Sequence, residues 1–174
     1  MELIMKVAIL SLLIFFNTFS VYEERFVDGN GVTYSLHHLH VGDYKKGYIE
    51  LLGQLTECGQ INFSKFCLFR YGLNPQHIVL VIENCDQGKI IATGTVLIEP
   101  KLIHSGRLVG HIEDIVTDES VRGHGFGKNI VLKLAQYAKV AGCYKVILDC
   151  KAENVPFYEK CGFTVKGSEM EIRF

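Results

Sequence analysis

Apolar positions along the chain fall into three regimes. The first, Met1 to Val21, is nearly continuous: Lys6 precedes a run from Val7 to Phe16 broken only by Ser11. The second has helical spacing. After Gly42-Asp43, residues Tyr44, Tyr48, Leu51, Leu52 and Leu55 recur up to Thr56 and predict one helix, and a weaker helix follows Asn62. Ile130, Leu134, Tyr137, Ala138 and Ala141 mark another helical face that ends at Gly142. The third regime is β-rich. His77 to Glu83 and Ile90 to Glu99, separated by the polar stretch Asn84 to Lys89, predict an antiparallel hairpin. A loop from Pro100 to Gly110 leads to a strand over His111 to Asp118, and Tyr144 to Cys150 is the strand after the helix. The tail predicts a short helix near Val155 to Cys161 and two final strands, Phe163 to Lys166 and Glu169 to Phe174. Strand, glycine loop, helix and strand in that order make a βαβ unit inside an otherwise antiparallel sheet, an α/β fold flanked by helices.

The apolar head meets two of the three marks of a signal peptide, a short basic start and an apolar stretch, but no small-x-small cleavage site follows. From Leu3 to Val21 it nearly reaches the roughly 20 apolar residues of a membrane span. Three readings stay open: a cleaved signal, an uncleaved anchor, or an extension or mis-called start. The charged stretch Tyr22 to Gly31 reads as a spacer, so residues 1–31 form a head and 32–174 one domain. Asn62-Phe63-Ser64 is a glycosylation sequon that matters only in a luminal protein.

Composition narrows the classes. With 174 residues, 18 Lys+Arg against 19 Asp+Glu and a formal charge of -1, the chain has one sizeable core and no overall basic field for a nucleic-acid backbone. At 48% hydrophobic and 21% charged it is far from a disordered composition. Cys58, Cys67, Cys85, Cys143, Cys150 and Cys161 form no C-x-x-C pair and read as reduced, mostly buried thiols. His37, His38 and His40 precede the first helix, where they fit an edge strand better than a metal site.

Candidate chemistry starts at Arg122-Gly123-His124-Gly125-Phe126-Gly127-Lys128, which joins a strand to a helix. Such a loop turns tightly and points several N–H groups outward at a helix N-terminus, a cradle for phosphate. A P-loop would need glycine at position 122 and a hydroxyl at 129, where Arg122 and Asn129 stand. The dinucleotide fingerprint also fails, because the third glycine comes one residue early.

Arg122-x-x-Gly125-x-Gly127, after Ile112-Glu113-Asp114-Ile115-Val116, resembles the acyl-CoA pyrophosphate loop of the GCN5-related N-acetyltransferases. The stretches Gly110 to Ile115, Gly142 to Cys150, Asn154 to Phe163, Glu169 to Phe174 and Gly47 to Thr56 are similar to those of eukaryotic glucosamine 6-phosphate N-acetyltransferases, so the likeness runs from Val32 to Phe174. It implies that fold, and acetyl transfer from acetyl-CoA to the 2-amino group of glucosamine 6-phosphate on the route to UDP-N-acetylglucosamine, with no metal. For the donor it implies backbone contacts from Ile115 and Val116, pyrophosphate contacts from the segment Arg122 to Lys128, and roles for Asn154 and Tyr158, the latter facing the CoA sulfur. For the acceptor it implies contacts from Thr56, Lys101, Leu102, Ile103, His104, Glu113, Asp114, Ile115, Tyr144, Lys145, Asp149 and Arg173. Lys101, Lys145, Arg173 and His104 would suit a phosphomonoester close to a dianion. Alternation puts Lys145, Ile147 and Asp149 on one face, so Asp149 is the first candidate to orient the amine and Glu113 to take its proton. The likeness also implies an intertwined homodimer in which the last strand carries Arg173 to the partner's site. Two alternatives remain: the same fold acting on another amine, and a secreted or anchored acyl-CoA-binding module without turnover. The cationic cluster argues against a polyamine acceptor and the retained chemical groups against the module, so a cytosol-facing domain is expected, with membrane contact confined to residues 3–21.

Overall fold

The computed structural model describes residues 23–173, so the apolar head with its three readings lies outside the described residues. The chain forms a six-stranded sheet in the order β1 to β6: β1 (Glu23–Val27), β2 (Thr33–His38), β3 (His77–Asn84), β4 (Lys89–Pro100), β5 (Leu108–Thr117) and β6 (Cys143–Ile147). Neighbours are antiparallel except β5 and β6, which run parallel across the long helix α3 (Phe126–Val140). This is the βαβ unit in an antiparallel sheet that the pattern predicts. Two shorter helices, α1 (Tyr48–Leu52) and α2 (Phe63–Gly72), cover the opposite face, and α4 (Val155–Glu159) follows β6.

Alternation explains the layers. On β3, Ile78, Leu80 and Ile82 join Ile130, Leu134 and Ala138 of α3, while Val79 and Val81 join Tyr48, Leu51 and Phe66 of α1 and α2. Both faces of the strand are buried, which is why β3 reads as an unbroken apolar run.

Several expectations need correcting. The charged stretch read as a spacer contributes β1, paired in register from Glu23 with His37 to Val27 with Thr33. That makes β2 an interior strand, so His37 and His38 lie on no sheet edge. The first helix is not continuous: a 3-10 segment, Val41–Lys46, ends at Gly47 with φ 81°, and α1 restarts beyond it. The loop expected from Pro100 to Gly110 is mostly strand and turn, because β4 runs through Pro100 and β5 begins at Leu108. β6 stops at Ile147, leaving Asp149 past its end, and residues 163–173 form no strand. The exposure of Val165, Met170 and Ile172 fits apolar positions with no sheet to join in a single chain. The six cysteines are free but only half-buried.

Candidate active site

The site is made by two irregularities around β5. The first is a bulge. Thr93 pairs with Val116 and Thr95 with Glu113, so Gly94 alone faces both Asp114 and Ile115. Asp114 takes the left-handed φ of 54° that this requires. Gly94 is necessary opposite it: a Cβ there would lie 2.3 Å from Ile115 Cδ1 and 2.7 Å from Ile130 Cγ2. The bulge reverses the alternation, so that Ile112 and Ile115, three apart, both pack toward α3, and Glu113 and Asp114 are consecutive exposed residues. The strand expected over His111 to Asp118 is present as β5, with the bulge inside it.

The second irregularity is a parting of strands. The β5/β6 ladder ends at His111 and Ile147, whereas β4 still pairs with β5 at Thr117. On its β6 side the backbone from Glu113 to Val116 has no strand partner among the described residues, and an extended ligand can pair there. Ile115 and Val116 side chains belong to the two cores, so what they offer a ligand is main chain.

At the top of the gap the glycine loop leads into α3. Asp118, whose side chain is 3% exposed, anchors the loop. It accepts from Ser120 N at 3.0 Å, from Lys89 Nζ at 2.7 Å and from Gln54 Nε2 at 3.1 Å. Burial pushes this carboxyl up, but those bonds outweigh it and hold the group well below the usual range. Gly123 and Gly125 adopt φ of 85° and 87°, which turns the chain so that the first amides of α3 face outward. Arg122 Nε donates to Thr117 O at 3.2 Å and His124 Nδ1 lies 3.1 Å from the carbonyls of Val121 and Arg122, so both side chains brace the loop. Phe126 is core, its ring tilted against that of Tyr34 at 4.8 Å, while Gly127 fits tightly against Thr117 Oγ1. Lys128 is exposed beside them.

The other expected residues gather on the sheet face that α1 and α2 leave open. Register puts Leu97, Glu99, His111, Glu113, Lys145 and Ile147 on that face of β4, β5 and β6. Lys101 pairs with Glu99. His104, in a turn where it and Ser105 have left-handed φ, stacks 4.6 Å from Tyr144, and Lys145 Nζ sits 5.6 Å from the same ring. Leu102 and Ile103 project from that turn fully or largely exposed. Glu113 is pushed above the ordinary carboxyl value by burial first and then by Asp114 and Asp149, which brings the three carboxylates together. Tyr158 on α4, half-buried against Phe157 and Phe163, is pushed up to about 12 by burial and then by Cys150, Cys161 and Glu113. Asn154 occupies the position before α4 without a side-chain capping bond to it.

Two expected residues stand apart. Thr56 is exposed beyond α1, its amide bonded to Leu52 O. Among the described residues Arg173 is bonded to Glu171, two residues away. Glu99 and His111 were missed, although His111 lies two residues before Glu113 in an alternating strand. The cluster His37, His40 and Asp43 has ligand-type atoms within 4.8 Å of one another, but His40 N donates to Asp43 and the Lys46 ammonium lies 3.8 Å from that carboxylate, an arrangement that caps the 3-10 segment.

Comparison with known proteins agrees with this geometry. Residues 34–163 match the model of the acetyltransferase (GNAT) family. The chain is 44% identical to a glucosamine 6-phosphate N-acetyltransferase of Arabidopsis thaliana over 82% of its length and 97% of the relative's. With that of Candida albicans it shares 42% over 81% and 96%. The crystal structure of the Arabidopsis enzyme superposes with a TM-score of 0.77, covering 81% of this chain and 98% of that one, and a Trypanosoma brucei acetyltransferase, 34% identical over 81% and 99%, gives 0.75. A fold with a bulged, parted central strand and a glycine loop at its end, matched over most of its length, has one family assignment: the chain belongs to the GNAT acetyltransferases and groups among them with the glucosamine 6-phosphate N-acetyltransferases.

Proposed function

We propose that the protein transfers the acetyl group of acetyl-CoA to the 2-amino group of glucosamine 6-phosphate, giving N-acetylglucosamine 6-phosphate and CoA for UDP-N-acetylglucosamine synthesis. The observation that carries this is the open face between β4 and β6, where Lys101 and Lys145, with the His104 ring beside them, stand at one end and Glu113, Asp114 and Asp149 at the other. A phosphosugar amine has that polarity.

The donor half follows from the main chain. The outward amides of Gly123 to Lys128 hold the pyrophosphate, and the free edge at Ile115 and Val116 pairs with the pantetheine arm. The Ile115 N–H faces the thioester oxygen, stabilising the oxyanion as the amine attacks. Asp149 and Asp114 orient the amine and Glu113, raised by partial burial and then by its neighbours, accepts its proton. Tyr158 stays protonated at neutral pH. A thiolate with an ordinary pKa near 8.5 does not deprotonate a phenol at about 12, so Tyr158 donates a hydrogen bond to the departing sulfur and the thiol proton comes from the amine.

A second chain completes the site in this reading. Residues 163–173 carry exposed Val165, Met170 and Ile172 and an Arg173 bonded to Glu171 of the same tail, as a strand awaiting a partner sheet would. We infer a homodimer in which this tail crosses over and Arg173 joins the other copy's phosphate cluster. The domain faces the cytosol, where acetyl-CoA is made available, with any membrane contact confined to residues 3–21. Among the described residues no helix is long and apolar enough to cross a membrane.

The test is CoA release by the purified protein with acetyl-CoA and either glucosamine 6-phosphate or glucosamine. Release that depends on the phosphate supports the reading; acetyl-CoA binding without release from either sugar overturns it.

A further inference from the structure

His111 lies at the centre of the acceptor face. Leu97 of β4 is its neighbour on one side and Ile147 of β6 on the other, with Glu113 two residues along, about 7 Å away at the rise of a strand. Its side chain is 29% exposed, open to that face. Nε2 lies 2.8 Å from Glu99 Oε2. Glu99 is held below the usual carboxylate range by Lys101 first and then, against some burial, by His111, so it is an anion at neutral pH and accepts the Nε2 hydrogen. This bond fixes the tautomer and leaves Nδ1, which has no partner among the described residues, with a lone pair.

The chemistry needs such a group. A sugar ammonium cannot attack a thioester until it loses a proton, and a carboxylate, even one raised by burial as Glu113 is, is a weaker match for an amine than an imidazole. At the spacing of side chains two apart on a strand face, a single water is able to bridge them. Resting on the proposed acetyl transfer, we propose that His111, oriented by Glu99, is the positioning and relay residue that receives the acceptor's proton by way of Glu113 and a bridging water.

The step balances. An N–H bond of the ammonium breaks, nitrogen keeps the electron pair, and the proton ends on Nδ1, making an imidazolium beside Glu99. The amine then forms the C–N bond, the C–S bond breaks with its electrons leaving on sulfur, and the second amine proton ends on the thiolate. The charged groups facing the imidazole are Glu99 and Lys101 from the β4 side and Glu113 with Asp114 on β5. Lys145 and Asp149 face it from β6 and beyond, Glu169 of the tail lies near Glu113, and His77 sits one strand further across the sheet. An imidazolium is therefore formed in a mainly anionic setting.

The test is the pH profile of glucosamine 6-phosphate acetylation by wild type and His111→Gln. Glutamine can still donate an amide hydrogen to Glu99 but cannot titrate. The variant is expected to lose about tenfold or more in kcat, in line with general-base contributions. The loss in kcat/KM is unequal across pH, so the shape of the profile changes on its acid side, while the acetyl-CoA KM and thermal midpoint stay at wild-type values. A profile that superimposes on wild type, or a loss equal at every pH, overturns the relay. His111→Asn repeats the test if the glutamine variant does not fold. Wild-type protein with no phosphosugar-dependent release sinks the acetyl-transfer reading; an active wild type with an unaffected variant sinks only this one.

Discussion

Asp118 at the end of β5 and Glu113 before its bulge are carboxylates of one strand in opposite environments. Asp118 is wrapped by Lys89, Ser120 and Gln54 and held below the usual range, so its charge is satisfied by the fold itself. Glu113 is held above it by burial and by two more carboxylates. The region under Asp118 is built for rigidity, because the loop it anchors must present amides at fixed positions before any donor arrives. The region around Glu113 leaves like charges unpaired, a cost the folded chain bears until a cationic amine neutralises it. Structure and chemistry are thus separated along a single strand, with the bulge at Asp114 between them.

The largest effect expected is at the unsatisfied end. Glu113→Gln should lower kcat/KM for the phosphosugar by about 100-fold or more, as loss of a proton acceptor does. Because the folded pKa of Glu113 is raised, its charge destabilises the fold as pH rises above the unfolded carboxyl value, so the neutral variant should melt no lower than wild type at pH 7. A lower melting temperature with full activity would reverse the comparison. At the satisfied end the signs exchange. Asp118→Asn should cost about 2 kcal/mol, a thermal midpoint about 4–8 °C lower, since Lys89 and Gln54 lose their acceptor. The folded pKa of Asp118 is depressed, so its stabilisation is present above the unfolded value of about 3.9 and is lost as pH falls below it. The gap between wild type and variant should therefore narrow as pH falls below about 4, and melting curves from pH 7 to 3 check this. Next in size, Tyr158→Phe should lower kcat about tenfold with little change in KM, as removal of one transition-state hydrogen bond does.

Much of this was readable from residues alone, and the failures share a cause. The β3 and β4 hairpin, the α3 stripe and the glycine loop are local patterns, with partners a few residues away or on the same face. The bulge is not local: Gly110-His-Ile-Glu-Asp-Ile115 alternates well enough to read as plain strand, and only the close contact of Gly94 with Ile115 in a neighbouring strand forces the extra residue. β1 was missed because an edge strand carrying Glu23, Glu24 and Arg25 has the composition of a linker. The tail failed the other way. Its residues have the pattern of strands, but within one chain nothing pairs with them. The candidate acceptor residues Lys101, Glu113 and Lys145 were named from family likeness, whereas Glu99 and His111, which geometry puts between them, offered only an alternation easily taken as structural.

The smallest effects test whether the acceptor face really differs from the satisfied end in having spare charge. Lys145 has no carboxylate partner among the described residues and rests over the Tyr144 ring, so its full charge is available to a phosphate. Lys101 already spends part of its charge on Glu99. Lys145→Ala should therefore raise the glucosamine 6-phosphate KM by about tenfold, the value of one charge-assisted bond, with kcat little changed. Lys101→Ala should raise it only about threefold, because an ammonium already held by Glu99 offers the phosphate only part of its hydrogen-bonding capacity. Steady-state kinetics with the phosphorylated sugar and with glucosamine separates the two. Neither variant should alter the unphosphorylated reaction, and a Lys101 effect as large as that of Lys145 would mean that the Glu99 pairing gives way when the sugar binds.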